Sequence, residues 1–179
     1  EVVIVQPNID SYNESRFDIN HFISISEDQL TDSTELLLAP ETVLQGNLDQ
    51  SDFDFRYYRV NDSLYRFKQG DLTILKNLQS SFPKLNILLG ATLSTGKYNK
   101  NNKYLDRYNS AIFIDTDQQI FIHHKTKLVP GAEGIPYPSI FNKFGNLFSI
   151  ELAGVAGNYL KGKDVAIFNT GTTKILPLI

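Results

Sequence analysis

Three charged side chains stand at places where a folded chain collects reacting groups. Glu41 lies in Ala39-Pro40-Glu41-Thr42, directly after the apolar run Glu35-Leu36-Leu37-Leu38-Ala39. Lys125 follows the run Gln119 to His123, and the loop after it, Lys127-Leu128-Val129-Pro130-Gly131-Ala132-Glu133, ends in a second glutamate. Strand ends in α/β sheets suit chemistry because the sheet fixes position while the loop leaves room for a substrate. A lysine set beside two carboxylates stays charged and suits the stabilisation of an oxyanion. Each residue also has a structural reading. Glu41 at a turn can simply accept free N–H groups, and Lys125 with Glu133 can be a solvated basic patch with a glutamate on its rim.

Other chemistries find less support. His123 and His124 are adjacent, so a strand sends them to opposite faces. His21 is the third histidine, and no H-E-x-x-H spacing occurs, so neither a metal centre nor a cofactor is expected. The chain holds no cysteine, which removes a thiolate metal site and a cysteine nucleophile from these residues. No G-x-S-x-G elbow is present. Residues 170–174, Thr-Gly-Thr-Thr-Lys, lack the first glycine and the following helix of a phosphate loop.

The elements that must position these groups follow from apolar patterning. Val2 to Gln6 and Glu35 to Ala39 read as buried strands, each stopped by a proline, and Asn86 to Leu93 reads as a third. Arg16 to Leu30 has the spacing of a helix, with Asn8 to Asn13 turn-rich before it. Asp49 to Val60 reads as a long loop, and Asp62 to Phe82 as an amphipathic helix or helix pair. Tyr98 to Arg107 is a polar excursion. Tyr108, Ser110, Ile112 and Ile114 then alternate with Asn109, Ala111 and Phe113, and a turn at Asp115-Thr116-Asp117 returns through Gln119 to His123 as a hairpin. His124 to Pro138 is a structured loop, Phe141 to Leu160 is apolar but broken by glycines, and Val165 to Phe168 pairs with Ile175 to Ile179. The order β-α-β-α-β-β-β-loop-β-β predicts a layered α/β sandwich.

Composition sets the outer bounds. A length of 179 residues suits one domain, and 41% hydrophobic with 21% charged residues is enough for a core. The net charge of −3 argues against nucleic acid as a partner, since phosphate binding needs a concentrated basic face. No apolar run approaches the ~18–20 residues of a membrane-spanning helix. The chain begins at Glu1, has no methionine, and closes on Lys174 to Ile179, a run that reads as a buried strand. The expectation is therefore a piece of a longer protein.

In order and spacing, Val3-Ile4-Val5-Gln6-Pro7-Asn8-Ile9-Asp10, Leu37-Leu38-Ala39-Pro40-Glu41-Thr42, Asn86 to Thr92, Arg107-Tyr108-Asn109-Ser110-Ala111 and His124-Lys125 through Val129-Pro130 to Glu133 resemble the nitrilase, or carbon–nitrogen hydrolase, superfamily. Within it they are most similar to the apolipoprotein N-acyltransferases of the Bacteroidetes type. The resemblance spans essentially the whole chain. It implies a nitrilase-like αββα sandwich, incomplete at its C-terminus, with a Glu-Lys-Cys triad. Glu41 would be the general base, Lys125 the catalytic lysine and Glu133 the second, substrate-side glutamate. Gly131-Ala132-Glu133 departs from the family's Phe-Gly-Glu pattern at the residue before Glu133. The cysteine would follow the strand ending at Ile179, which leaves these residues inactive alone.

The implied reaction moves an acyl chain from a phospholipid to the N-terminal diacylglyceryl-cysteine of an apolipoprotein through an acyl thioester. The implied setting is the inner membrane, with this domain facing the periplasm and held by helices outside these residues. Phe141, Phe144, Leu147, Phe148, Ile150 and Leu152 would suit a lid over the acyl chain or ordinary core packing. A cytosolic amidase of the same superfamily, or a non-catalytic binding module in which Glu41 and Lys125 are an ion pair, are the alternatives.

Overall fold

The structure, a computed structural model, describes residues 1–6, 19–41, 43–45, 55–68, 70–95, 106–130, 133 and 159–178. Its elements in chain order are β1 (Val2–Ile4), α1 (Ile19–Glu27), β2 (Leu36–Leu38), β3 (Leu44–Gln45), β4 (Phe55–Val60), β5 (Ser63–Lys68), α2 (Asp71–Ser81), β6 (Asn86–Thr95), β7 (Asp106–Ile114), β8 (Ile120–His124), β9 (Phe168–Asn169) and β10 (Lys174–Ile175). The architecture is mixed α/β and nitrilase-like.

The long strand β6 organises the sheet. Its residues Asn86 to Ser94 are all buried, as a run apolar on both faces requires. β2 and β3 lie parallel to one edge of it, and β1 lies parallel to β2. β7 runs antiparallel along the other edge for nine registered pairs and carries β8. The β4–β5 hairpin joins the far end of β6 through Tyr65 and Arg66.

Strand alternation divides the side chains between two faces. Leu37, Ile87, Leu89, Ala91, Leu93, Ile112 and Ile114 share a core with Phe22 of α1 and Leu72, Leu75 and Leu78 of α2. Burial of this size contributes about 25 cal/mol per Å² of apolar area. Gln79 ties α2 to the sheet, its amide donating to the carbonyls of Leu85 and Asp115. On the opposite face a smaller core of Leu88, Ala111, Phe113 and Phe168 lies beneath the β9–β10 hairpin, with Phe113 and Phe168 stacked at 5.0 Å.

Several sequence-based expectations need correction. Phe55 to Val60 is a strand where a loop was expected, and Ser63 to Lys68 is its antiparallel partner where a helix was expected. The two tracts meet at Asn61-Asp62, and Asn61 adopts φ 52, a left-handed conformation that asparagine tolerates in tight turns. Helix in this stretch is confined to Asp71–Ser81. β7 begins at Asp106 rather than Tyr108. β1 is an edge strand with Val2 and Ile4 exposed, and the closing strand pairs only at Lys174 and Ile175, leaving Leu176 and Leu178 in solvent. Pairing ends just before Pro177, which has no N–H to donate. The turn at Asn8–Asn13, the excursion up to Leu105 and the apolar stretch proposed as a lid lie outside the described residues.

Candidate active site

Glu41 reaches the sheet face because β2 and β3 are one strand interrupted. From Leu38 to Leu44 the chain takes six steps while β6 takes three, from Leu88 to Ala91. Hydrogen bonds from the Ala39 N–H to Leu88, from the Gly90 N–H to Pro40 and from the Val43 N–H to Gly90 hold both sides of this excursion against β6. The surplus chain carries Glu41 and leaves its side chain 47% exposed.

Lys125 comes from the end of β8, one residue past His124. Its backbone N–H donates to the Asn109 carbonyl at 2.8 Å, so the β7–β8 ladder continues through it. Alternation puts His123 and Lys125 on the face of the smaller core and turns His124 to the helix face. The lysine is buried, and its Nζ lies 2.9 Å from Glu133 Oε1 and 3.4 Å from Glu41 Oε1. Asn109 completes a closed ring: its Nδ2 donates to Glu41 Oε1 and, at 2.8 Å, to Glu133 Oε1. The other oxygen of Glu133 accepts the Val129 N–H at 2.8 Å.

The electrostatics follow from these contacts. Burial works against the charge of Lys125, but its hydrogen bonds to the two glutamates and their charges outweigh it and raise the ammonium above the usual lysine range. Burial likewise works against the charge of Glu133, yet the Val129 N–H, Lys125 and Asn109 together lower its carboxyl below the usual range. Lysine and Glu133 therefore form a firmly charged pair at neutral pH. Glu133 has three donors on it and is only 13% exposed, whereas Glu41 is the open member of the ring.

A short backbone strap runs beside the ring, bridged in parallel to β7 at Arg107 and Tyr159. The N–H of Tyr159 donates to Glu133, that of Leu160 to Arg107 and that of Gly162 to Lys125, at 3.2, 2.7 and 2.9 Å. Gly162 lies so close to β8 that a Cβ there would sit 2.3 Å from the His124 carbonyl oxygen. On the opposite face His124 is clamped in turn. Tyr65 and Ser110 hydrogen-bond its two ring nitrogens at 2.9 and 2.8 Å, and Tyr108 stacks on it at 4.0 Å. Burial, with a smaller effect from His123, pushes its pKa down to about 4, so the ring is neutral. A cavity of about 440 Å³ adjoins this face, lined in part by Tyr65, Tyr108, Lys161 and Asp164.

The three residues singled out in the sequence thus converge on one spot. Asn109 was quoted there only as part of a pattern, and it is the β7–β8 register that puts it on the face that Lys125 shares. Among the described residues no group of three or more histidine, aspartate or glutamate side chains is arranged to hold a metal ion.

Residues 2–179 match the family model described as carbon-nitrogen hydrolase. The chain matches none of the curated proteins compared with it. With a match over nearly its full length and an αβ sheet of this topology, the chain belongs to the carbon-nitrogen hydrolase family.

Proposed function

We propose that this domain serves an apolipoprotein N-acyltransferase, with Glu41 as general base and Lys125 as the oxyanion-stabilising cation. The observation that carries the site assignment is the Lys125 ammonium held between Glu41 and Glu133; the order and spacing of the motifs carry the choice of acyltransfer. An ammonium has three N–H donors, and two are directed at carboxylates, which leaves one for a developing oxyanion. Glu41, exposed and less committed than Glu133, is the carboxylate able to reach an incoming thiol. Glu133 holds the lysine.

The chain has no cysteine, so in this reading the sulfur comes from sequence beyond Ile179, and membrane helices lie outside residues 1–179. A thiol is only a few per cent ionised near neutral pH, so an adjacent base is needed. Glu41 takes the thiol proton and sulfur attacks the phospholipid ester. The tetrahedral oxyanion collapses beside Lys125, and the leaving alkoxide recovers the proton from Glu41. The resulting thioester is attacked by the α-amine of a lipoprotein's diacylglyceryl-cysteine; Glu41 accepts the amine proton and returns it to the departing thiolate. The domain faces the periplasm at the inner membrane.

Mass spectrometry of the enzyme extended past Ile179, incubated with phospholipid, is the test. A hydroxylamine-sensitive acyl adduct that is lost in Glu41→Gln and Lys125→Met supports the reading. Absence of any adduct, with hydrolysis of small amides instead, favours the amidase that the family description equally allows. Acyl transfer by the 179 residues alone would overturn the thiol assignment.

A further inference from the structure

Arg107 stands two residues before Asn109 on β7, and alternation puts both on the same face of the sheet, about 7 Å apart along the strand. Its guanidinium carbon lies 5.3 Å from the centre of the Tyr159 ring. Tyr159 is itself fixed at both ends. Its N–H donates to the Glu133 carbonyl, and its hydroxyl lies 3.3 Å from Thr92 Oγ1, whose residue is the cross-strand partner of Asn109. The Arg107 carbonyl is held by the Leu160 N–H.

Among the described residues the charge of Arg107 has no acidic counterpart. Both glutamates of the ring are engaged by Lys125 and Asn109, and no carboxylate pairs with Arg107 among the described residues. The neighbouring Asp106 falls on the other face by alternation. The guanidinium Nε is buried without a partner, and the terminal nitrogens have no acceptor among the described residues. An arginine stacked on a ring and wedged at Nε has lost most of its freedom, so its terminal fork is preorganised. A planar fork of N–H donors fits a phosphate or carboxylate with two parallel hydrogen bonds.

We propose that Arg107, backed by Tyr159, is an anion seat beside the Glu41–Lys125–Glu133 ring, and that its occupant is the phosphodiester of the acyl donor. This rests on the acyltransfer reading for the identity of the ligand. The seat lies two residues along β7 from Asn109 of the ring, so a phosphodiester held there sets the register of the donor's ester against Lys125.

The Arg107 Nε–H resonance, assigned by its loss in Arg107→Lys, reports on the seat without any turnover. It shifts on titration with dimethyl phosphate and with dibutanoyl phosphatidylglycerol, and stays in place with neutral dibutanoylglycerol. Arg107→Leu weakens binding of the anionic lipid about tenfold or more, a change of about 1.4 kcal/mol, and leaves the neutral lipid unaffected. A resonance unmoved by both phosphodiesters overturns the proposal, as does equal use of anionic and neutral donors by wild type and Arg107→Leu in the full enzyme. Should Arg107→Leu fail to fold, the wild-type resonance alone decides. Phosphodiester binding at Arg107 in an enzyme that transfers no acyl group would refute the acyltransfer reading and leave the seat standing.

Discussion

Two carboxylates sharing one ammonium carry a surplus negative charge, and Asn109 is the neutral donor that lets them stay close. Truncating it removes hydrogen bonds to two charged groups, each worth about 1.5–3 kcal/mol when buried and less at the exposed Glu41. Asn109→Ala therefore lowers stability by about 1–3 kcal/mol, seen as an earlier urea midpoint, whereas Thr172→Ala on the exposed β9–β10 turn leaves it nearly unchanged. The Lys125–Glu133 pair adds a pH window. The depressed Glu133 contributes stability that is complete above its ordinary value of 4.5 and lost as pH falls through its lower folded value. The raised Lys125 contributes stability that is complete below 10.5 and lost as pH rises through its higher folded value. Urea midpoints of wild type and Glu133→Gln should thus differ most between pH 5 and 10 and converge in acid. Glu41 and Lys125 were legible from their places at strand ends; Asn109 was not, because an asparagine inside a strand looks like any polar interruption until its cross-strand neighbours are known.

The elements show the same uneven legibility. β6 and the β7–β8 hairpin were readable because long apolar runs and strict alternation leave few other solutions. The β4–β5 hairpin was hidden because its strands are aromatic and charged on both faces, and its only turn signal is the pair Asn61-Asp62. The strap at 159–162 could not be read at all, since it acts through backbone N–H groups that any residue carries. Its one sequence-specific requirement is Gly162, where a side chain would press on the His124 carbonyl at 2.3 Å. Gly162→Ala should destabilise by roughly 1–3 kcal/mol through overpacking and lower the melting temperature by several degrees. If the site is displaced with it, the Lys125 Nζ–H signal will move as well. Gly171, where φ is +89 and a Cβ meets nothing, supplies a control with conformational strain but no collision.

At the scale of the molecule, the two sheet faces are unequally covered. The helix face packs against α1 and α2, while Val2 and Ile4 of β1, and Val165, Ile167, Leu176 and Leu178 in and beside the β9–β10 hairpin over the opposite face, are half or more exposed. An apolar surface of this kind, next to an edge strand, favours self-association. Sedimentation of the 179 residues should show concentration-dependent association, weakened by Ile4→Lys or Leu178→Lys with no change in circular dichroism.

The alternation of His123, His124 and Lys125 has a consequence at a distance. The register that turns the ammonium toward the carboxylates and the imidazole toward Tyr65 is set four rungs away, where Asp115 accepts the N–H groups of Asp117 and Gln119 and Gln118 adopts φ 60. One residue inserted at that hairpin tip would exchange the two side chains. A stretch of surface polypeptide remote from the ring therefore decides whether a cation stands between the two carboxylates.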